Sequence, residues 1–225
     1  EHLEPAGVHS GDSTAVLPPY SIEENMLAEI RDKSIKLALS LNVRGLLNIQ
    51  FAIKENELYI LEANPRASRT MPFVANVTKN QIIKAGTLIM LGHKIKDILK
   101  DTDYLSSKTN KIAVKKAIFP WSRFPAEDTM LGPEMKATGE VLGIGSKLGI
   151  ALNKAYAAAG VEIGVKKQGI FITLSDEDKN KFLKTIRKYK DLEFKIYATE
   201  GTSEFLSKNN IESIKVGRAD DEAPT

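Results

Sequence analysis

Gly45-Leu-Leu-Asn-Ile-Gln-Phe-Ala-Ile53, the turn Lys54-Glu-Asn56, and Glu57-Leu-Tyr-Ile-Leu-Glu-Ala-Asn-Pro-Arg-Ala-Ser-Arg69 decide how this chain is read. Two apolar runs flank a short polar turn, which is the signature of a β-hairpin. Alternation sends Leu47, Ile49, Phe51 and Ile53 to one face of the first strand and Asn48, Gln50 and Ala52 to the other. On the second strand Ile60, Glu62 and Asn64 are expected to share a face. If the register sets Gln50 opposite Glu62, then Gln50, Glu62 and Asn64 converge; a slip of one residue would scatter them. A carboxylate and two amide oxygens are hard ligands that suit Mg²⁺ or Mn²⁺. Pro65 stops the strand, and Arg66 and Arg69 follow, three residues apart, with the fork geometry that suits phosphate oxygens. Each residue alone fits the polar face of an ordinary hairpin. Together they fit a place where a metal-bound nucleotide phosphate is held and transferred.

Upstream, Gly7-Val8-His9-Ser10-Gly11 reads as a glycine-punctuated loop able to offer backbone amides and an imidazole to a nucleotide. Any tight turn can hold such a sequence, and a structural His9 is the plainer reading of that motif alone. His2 and His93 show no evident partner. Ser21-Ile-Glu-Glu24 is a capping box, predicting a helix to about Leu41 with Ile22, Met26, Leu27, Ile30, Ile35 and Ala38 on its core face. Helices are expected at 80–91 and 94–100, a lysine-rich strand at 112–119, a short strand from Gly139, and an alanine-rich helix capped by Ser146 and ending near Gly160.

From about Lys166 the texture changes. A strand (169–174), a capped amphipathic helix (175–189), a strand (194–198), a short helix (201–208) and a strand (211–216) give a β-α-β-α-β order, hence a parallel sheet. The domains are therefore expected at 1–165 and 166–225, with the boundary near Val161 to Lys167. Thr199-Glu-Gly-Thr202 at the start of a helix reads either as an anion nest or as simple capping by Thr199, with Lys179 and Arg218 also near strand ends.

The bulk composition fits this picture. With 42% hydrophobic and 27% charged residues, the 225-residue chain has an ordinary globular balance. It has no cysteine, which excludes disulfides and thiolate metal sites and fits a cytoplasmic setting. No apolar run reaches membrane-spanning length, no signal peptide is expected, and a net charge of +3 gives no case for nucleic acid. The ends, Glu1 and the acidic Ala219–Thr225, suggest a piece of a longer polypeptide.

In this order Gly7-Val-His-Ser-Gly-Asp-Ser13, Leu17-Pro-Pro-Tyr20, Val43-Arg-Gly-Leu46, Gln50-Phe51, Glu62-x-Asn-Pro-Arg-Ala-Ser-Arg-Thr70 and Leu131-Gly-Pro-Glu-Met-Lys-x-Thr-Gly-Glu-Val141 closely resemble the large subunit of carbamoyl-phosphate synthase. The resemblance runs along essentially the whole chain. It implies an α/β chain: the C-terminal portion of an ATP-grasp domain, with antiparallel sheet and helices, followed by part of a parallel-sheet, methylglyoxal-synthase-like regulatory domain. That order places the chain in the half that phosphorylates carbamate, the other half acting on bicarbonate. The resemblance further implies that Gln50 and Glu62 bridge metal to ATP phosphates, that Asn64 completes the metal site, and that Gly7, Val8, His9 and Ser10 contact ATP. Arg66 and Arg69 would steady the transferring phosphoryl group and the carbamate, while Lys179, Thr199, Thr202 and Arg218 would hold an allosteric effector's phosphate. The implied partners are the N-terminal half of the same subunit and a glutaminase small subunit that supplies ammonia, with the product serving arginine and pyrimidine synthesis. The upstream adenine-binding portion of the fold is not in this chain, so the chain alone is expected to make no carbamoyl phosphate. Two other readings compete. A biotin carboxylase-like ATP-grasp ligase would share Glu62-x-Asn-Pro-Arg66 but lack the tail from Lys166, and a non-catalytic module would sense a phosphorylated metabolite through Thr199 to Thr202.

Overall fold

The computed structural model describes residues 1–98, 110–124, 126, 128–161 and 169–217. The chain divides into two compact units, Glu1–Val161 and Glu162–Thr225. The boundary expected at 165/166 falls outside the described residues.

The core of the first unit is a three-stranded antiparallel sheet in the order β1 (Ala15–Leu17), β4 (Ile112–Ile118), β5 (Gly139–Gly145). Ala15 pairs with Lys115 and Val16 with Val114, and the two-residue period of a strand divides the side chains between faces. On one face Ala15 and Ala113 pack with Phe73 and Val77 of α2 (Thr70–Thr78); on the other Val16 and Val114 pack with Ala151 and Ala155 of α5 (Leu148–Ala158). Small residues let α5 come close. A Cβ on Gly143 would lie 2.2 Å from the carbonyl oxygen of Ala151 and 2.5 Å from the nitrogen of Ala155.

A second sheet pairs β2 (Asn48–Lys54) with β3 (Glu57–Asn64). Both residues of the connecting turn have left-handed backbone, Glu55 at φ 52° and Asn56 at φ 63°. That is the mirror-image turn whose twist matches a two-residue hairpin, and asparagine tolerates it. The register sets Asn48 opposite Asn64 and Gln50 opposite Glu62. A bulge then pairs Phe51 with Ile60. Ile60 therefore leaves the alternation that carries Glu62 and Asn64, contrary to the expectation that all three share a face.

Helices α1 (Glu24–Ser40), α3 (Ile82–Met90) and the short α4 (Ile95–Ile98) complete the described part of this unit. The helix expected at 94–100 is described only to Ile98. Three local expectations fail. The N-cap of α1 is Glu23 and has no side-chain cap bond; Ser21 instead donates its hydroxyl and amide to the Glu1 carboxylate. The N-cap of α5 is Lys147, one residue beyond Ser146. Ile35, assigned to the core face of α1, is 55% exposed.

The second unit is a parallel sheet of β6 (Gly169–Ile172), β7 (Lys195–Ala198) and β8 (Ile214–Lys215), joined through α6 (Asp176–Asp191) and α7 (Glu200–Lys208). Its core is Ile172, Ile186, Ile196, Ala198, Leu206 and Ile211. The outer strands are shorter than their apolar runs suggested, because Leu174 and Ile211 pack against the core from the connecting segments.

Candidate functional site

In the first unit, a cleft of about 1260 Å³ opens between the β2–β3 hairpin, α1 and the loops that flank β1 and α2. Gln50, Glu62 and Asn64 line it together with Asn48. Directly opposed residues of an antiparallel pair have Cβ atoms roughly 4.5–5.5 Å apart, so the Gln50 and Glu62 side chains leave the ladder as neighbours. Asn64 stands two residues along the strand from Glu62, and Asn48 faces it across the ladder. Asn48 is braced by a cleft-lining neighbour, donating its amide to Ser68 Oγ at 3.3 Å. Among the described residues there is no group of three or more His, Cys, Asp and Glu able to hold a metal. The candidate donor set here is of another kind, one carboxylate with side-chain amides, whose hard oxygens fit Mg²⁺ or Mn²⁺.

The cations enter from the segment after Pro65. Arg66 and Arg69 both line the cleft and both are exposed. Arg66 donates from Nη1 to the carbonyl of Ala67 at 3.0 Å, and Arg69 sets Nη2 against Met135 Sδ at 2.6 Å. Arg69 is the N-cap of α2, a helix absent from the sequence reading. Its signal was present in Phe73, Val74 and Val77, apolar at helical spacing.

His9, Ser10 and Gly11 form the opposite lip of the cleft, whereas Gly7 and Val8 do not line it. His9 uses Nδ1 to accept the Gly11 amide at 3.0 Å, which fixes the tight bend of this loop. His2 also lines the cleft and bridges to Ala15; His93 lies elsewhere, its amide bonded to Leu88.

Lys115 is the site residue that sequence reasoning missed. It hid in a lysine doublet, Lys115-Lys116, that strand alternation splits between two faces. Lys116 turns toward α5, its Nζ 5.1 Å from the centre of the Tyr156 ring. Lys115 takes the cleft side, only 2% exposed, with Nζ 3.4 Å from the Ser10 carbonyl and 3.5 Å from that of Gly11. Burial holds its ammonium below the usual lysine range, and the neighbouring Arg69 pushes the same way; Glu140, Glu4 and Asp12 oppose both. Three cations thus border the oxygen donors, and nothing in a packed core asks for that arrangement.

In the second unit, Thr199 is the N-cap of α7 and Thr202 lies in its first turn. Thr199 and Thr202 are buried, their hydroxyl oxygens 3.4 Å apart. Thr173 shares a hydrogen bond with Thr199, and the Leu174 amide donates to Thr202 Oγ1 at 3.1 Å. Lys179 comes to the same place: its Nζ would lie 3.6 Å from a Cβ on Gly201, while its present partner is Asp176 at 2.5 Å. Arg218 is outside the described residues.

Comparison with known proteins gives two family matches. Residues 2–98 match the family described as carbamoyl-phosphate synthase L chain, ATP binding domain, and residues 181–224 match the MGS-like domain. The carbamoyl phosphate synthase large chain, C-terminal section, of Aquifex aeolicus is 40% identical over the whole of this chain and 44% of its own length. The large chain of Archaeoglobus fulgidus is 48% identical over 95% of this chain, covering 20% of its own length. The C-terminal section from Methanocaldococcus jannaschii is 42% identical over 96% of this chain and 36% of its own length. The chain thus spans between about a fifth and less than half of the length of these relatives. No described helix is long and apolar enough to cross a membrane.

Proposed function

Because the chain belongs to the carbamoyl-phosphate synthase large-chain family, we propose that its first unit supplies half of a site that transfers the γ-phosphoryl group of ATP to carbamate. The observation that carries this is the cleft itself. Gln50, Glu62 and Asn64 face the same space as Arg66, Arg69 and the buried Lys115.

In the proposed reaction a carbamate oxygen attacks the γ-phosphorus, the bond to the β–γ bridging oxygen breaks, and carbamoyl phosphate and ADP leave. The transferring group carries its charge on three equatorial oxygens, so the protein's work is positioning and charge stabilisation. Gln50, Glu62 and Asn64 would hold Mg²⁺ or Mn²⁺, which when bound screens the charge of the phosphate oxygens. Arg66 and Arg69 border that space with planar, permanently charged guanidiniums and hold the transferring group in line. Lys115, in a drier setting, attracts the anionic acceptor; an ammonium there acts more strongly than one in water. His9 and Ser10 border the nucleotide side, with Gly7 and Val8 just before them in the same loop.

A regulatory role for the second unit rests on a separate observation, the convergence of Lys179, Thr199 and Thr202 at the start of α7. A phosphorylated effector would meet backbone amides, hydroxyls and one ammonium there. The match to the MGS-like family supports this reading over a biotin carboxylase-like ligase, which would have no such unit. The glutaminase subunit, the N-terminal half of the large subunit and the arginine and pyrimidine pathways belong to the same proposal.

The test is ATP formation from carbamoyl phosphate and MgADP, the reverse of the proposed step, in the protein as encoded. Turnover in the wild type that disappears in Glu62→Ala and persists in Lys179→Ala is the expected result. Equal turnover in Glu62→Ala would remove the assignment.

A further inference from the structure

Asp12 is fully buried behind the cleft lip, its backbone N–H donating to the His9 carbonyl at 2.9 Å. Its two carboxylate oxygens each accept one backbone N–H from a distant loop, that of Lys136 at 2.8 Å and that of Ala137 at 2.9 Å. Four residues upstream in that loop the Gly132 carbonyl accepts the His9 amide at 2.8 Å. The segment from Gly132 to Ala137 is therefore pinned at both ends to the loop that forms one lip of the cleft. Between the pins stands Met135. Its Sδ contacts Arg69 Nη2, and a Cβ on Gly11 would come within 2.8 Å of the same sulfur. Arg69, the Ser10–Gly11 loop and the Met135 loop thus meet at one point of the cleft wall, and the pin behind it is Asp12.

The choice of residue is informative. Two N–H groups aimed at one side chain need two acceptors, and only a carboxylate provides them in one plane. An asparagine would turn a donor against one of the amides, and burying a charge is costly unless every lone pair in reach is used. We propose that Asp12 is a positioning residue: it fixes the Met135 loop against the Ser10–Gly11 loop, so that Arg69 is held at the angle the transferring phosphoryl group requires. This role rests on the phosphoryl-transfer reading of the cleft.

Asp12→Asn in the protein as encoded tests it through two readouts. Amide hydrogen exchange at Lys136 and Ala137 should rise, and kcat should fall by about 100-fold, the scale of a roughly 1 Å misplacement of a catalytic group. The KM for ATP should move far less than kcat, since His9 keeps its own bonds to Gly11 and Gly132. Exposed amides with unchanged kcat would overturn the role and leave Asp12 a brace only. A lowered kcat with unchanged exchange would overturn it too. Met135→Ala, which leaves both pins in place, covers the case in which Asp12→Asn does not fold. It should lower kcat with normal exchange at 136 and 137, and wild-type kcat in that variant would refute the route through Met135. A wild type without turnover removes the functional reading and this role with it. An active wild type beside an equally active Asp12→Asn removes this role alone.

Discussion

Gln50 and Glu62 sit directly opposite each other across the β2–β3 ladder, one pair before a bulge that shifts the register of everything nearer the turn. The bulge matters because it lies on the turn side. The half of the hairpin that carries Asn48, Gln50, Glu62 and Asn64 keeps an unbroken alternation, so four polar side chains stay in the cleft. Glu62 is the only carboxylate among them. Glu62→Gln retains shape and removes the charge, and is expected to lower phosphoryl transfer by about 100-fold, in line with losing one preorganised electrostatic group. Because Glu62 is exposed, its thermal midpoint should stay within a degree or two of wild type, as for most surface substitutions. A large loss of stability would mean that Glu62 holds the hairpin rather than a ligand.

Lys115 offers a test in which stability and activity move in opposite directions. Its ammonium is buried, and among the described residues its hydrogen bonds are two long ones, to the Ser10 and Gly11 carbonyls. Burial lowers its pKa, so at neutral pH the folded protein holds a charge that it would hold more easily when unfolded. The linkage follows from that direction. Between its folded value and the ordinary lysine value of roughly 10.4, the unfolded chain binds more protons, so this group adds stability as the pH rises through that window. Lys115→Met should therefore be at least as stable as wild type at pH 7, and its advantage should shrink in thermal melts toward pH 10. Phosphoryl transfer should meanwhile be lost. A variant less stable at pH 7 than at pH 10, relative to wild type, would mean that the ammonium is well paired.

What the sequence made legible, and what it hid, divides along physical lines. Strand alternation over Asn48–Ile53 needs only a two-residue period, and the polar turn at Lys54–Asn56 limits the register, so the facing of Gln50 and Glu62 followed as a conditional statement. The bulge at Leu61 leaves no mark in the hydrophobic pattern, because Tyr59, Ile60 and Leu61 are all apolar and all exposed. Ser21 and Ser146 looked like helix caps because capping is a local preference. Tertiary partners outbid it at Ser21, where the Glu1 carboxylate takes both of its donors. Lys115 was hidden because nothing in Lys-Lys says which of two neighbours is buried. Only the pairing of β4 with β1 and β5 decides that. Asp12 owes its buried place to Lys136 and Ala137, more than a hundred residues away, and no local motif reports such a bond.

The candidate effector site predicts a clean separation between neighbouring residues. Among the described residues Lys179 pairs with Asp176, whose side chain is 93% exposed, and a pair with so exposed a partner contributes little to stability. Lys179→Ala should therefore leave the melting temperature unchanged while weakening inorganic phosphate, measured by titration of the intact chain, by about tenfold or more, as expected for a lost charge-assisted bond. Thr202→Ala should weaken phosphate and also cost about 1–3 kcal/mol, because the Leu174 amide loses its acceptor. If both variants bind phosphate as wild type does, the threonines serve only to cap α7.

Gly143 gives the sharpest packing prediction, because the groups it meets are backbone and have little room to retreat. It lies opposite Val114 in the ladder, and α5 rests on it. An added Cβ would meet the Ala151 carbonyl oxygen at 2.2 Å, the Ala155 nitrogen at 2.5 Å and the Ala155 Cα at 3.0 Å. Flexible side chains can swing away from such a contact; a helix cannot do so without lifting off the sheet as a unit. Gly143→Ala is therefore expected to cost about 3 kcal/mol, at the upper end for overpacking, despite adding a single methyl group. Gly149→Ala is the control on the same helix, since nothing lies within 4 Å of the Cβ it would gain. It should be neutral or slightly stabilising, because alanine loses less backbone entropy in a helix than glycine does. Comparable denaturation midpoints for the two variants would mean that α5 sits farther from β5 than the Ala151 and Ala155 contacts place it.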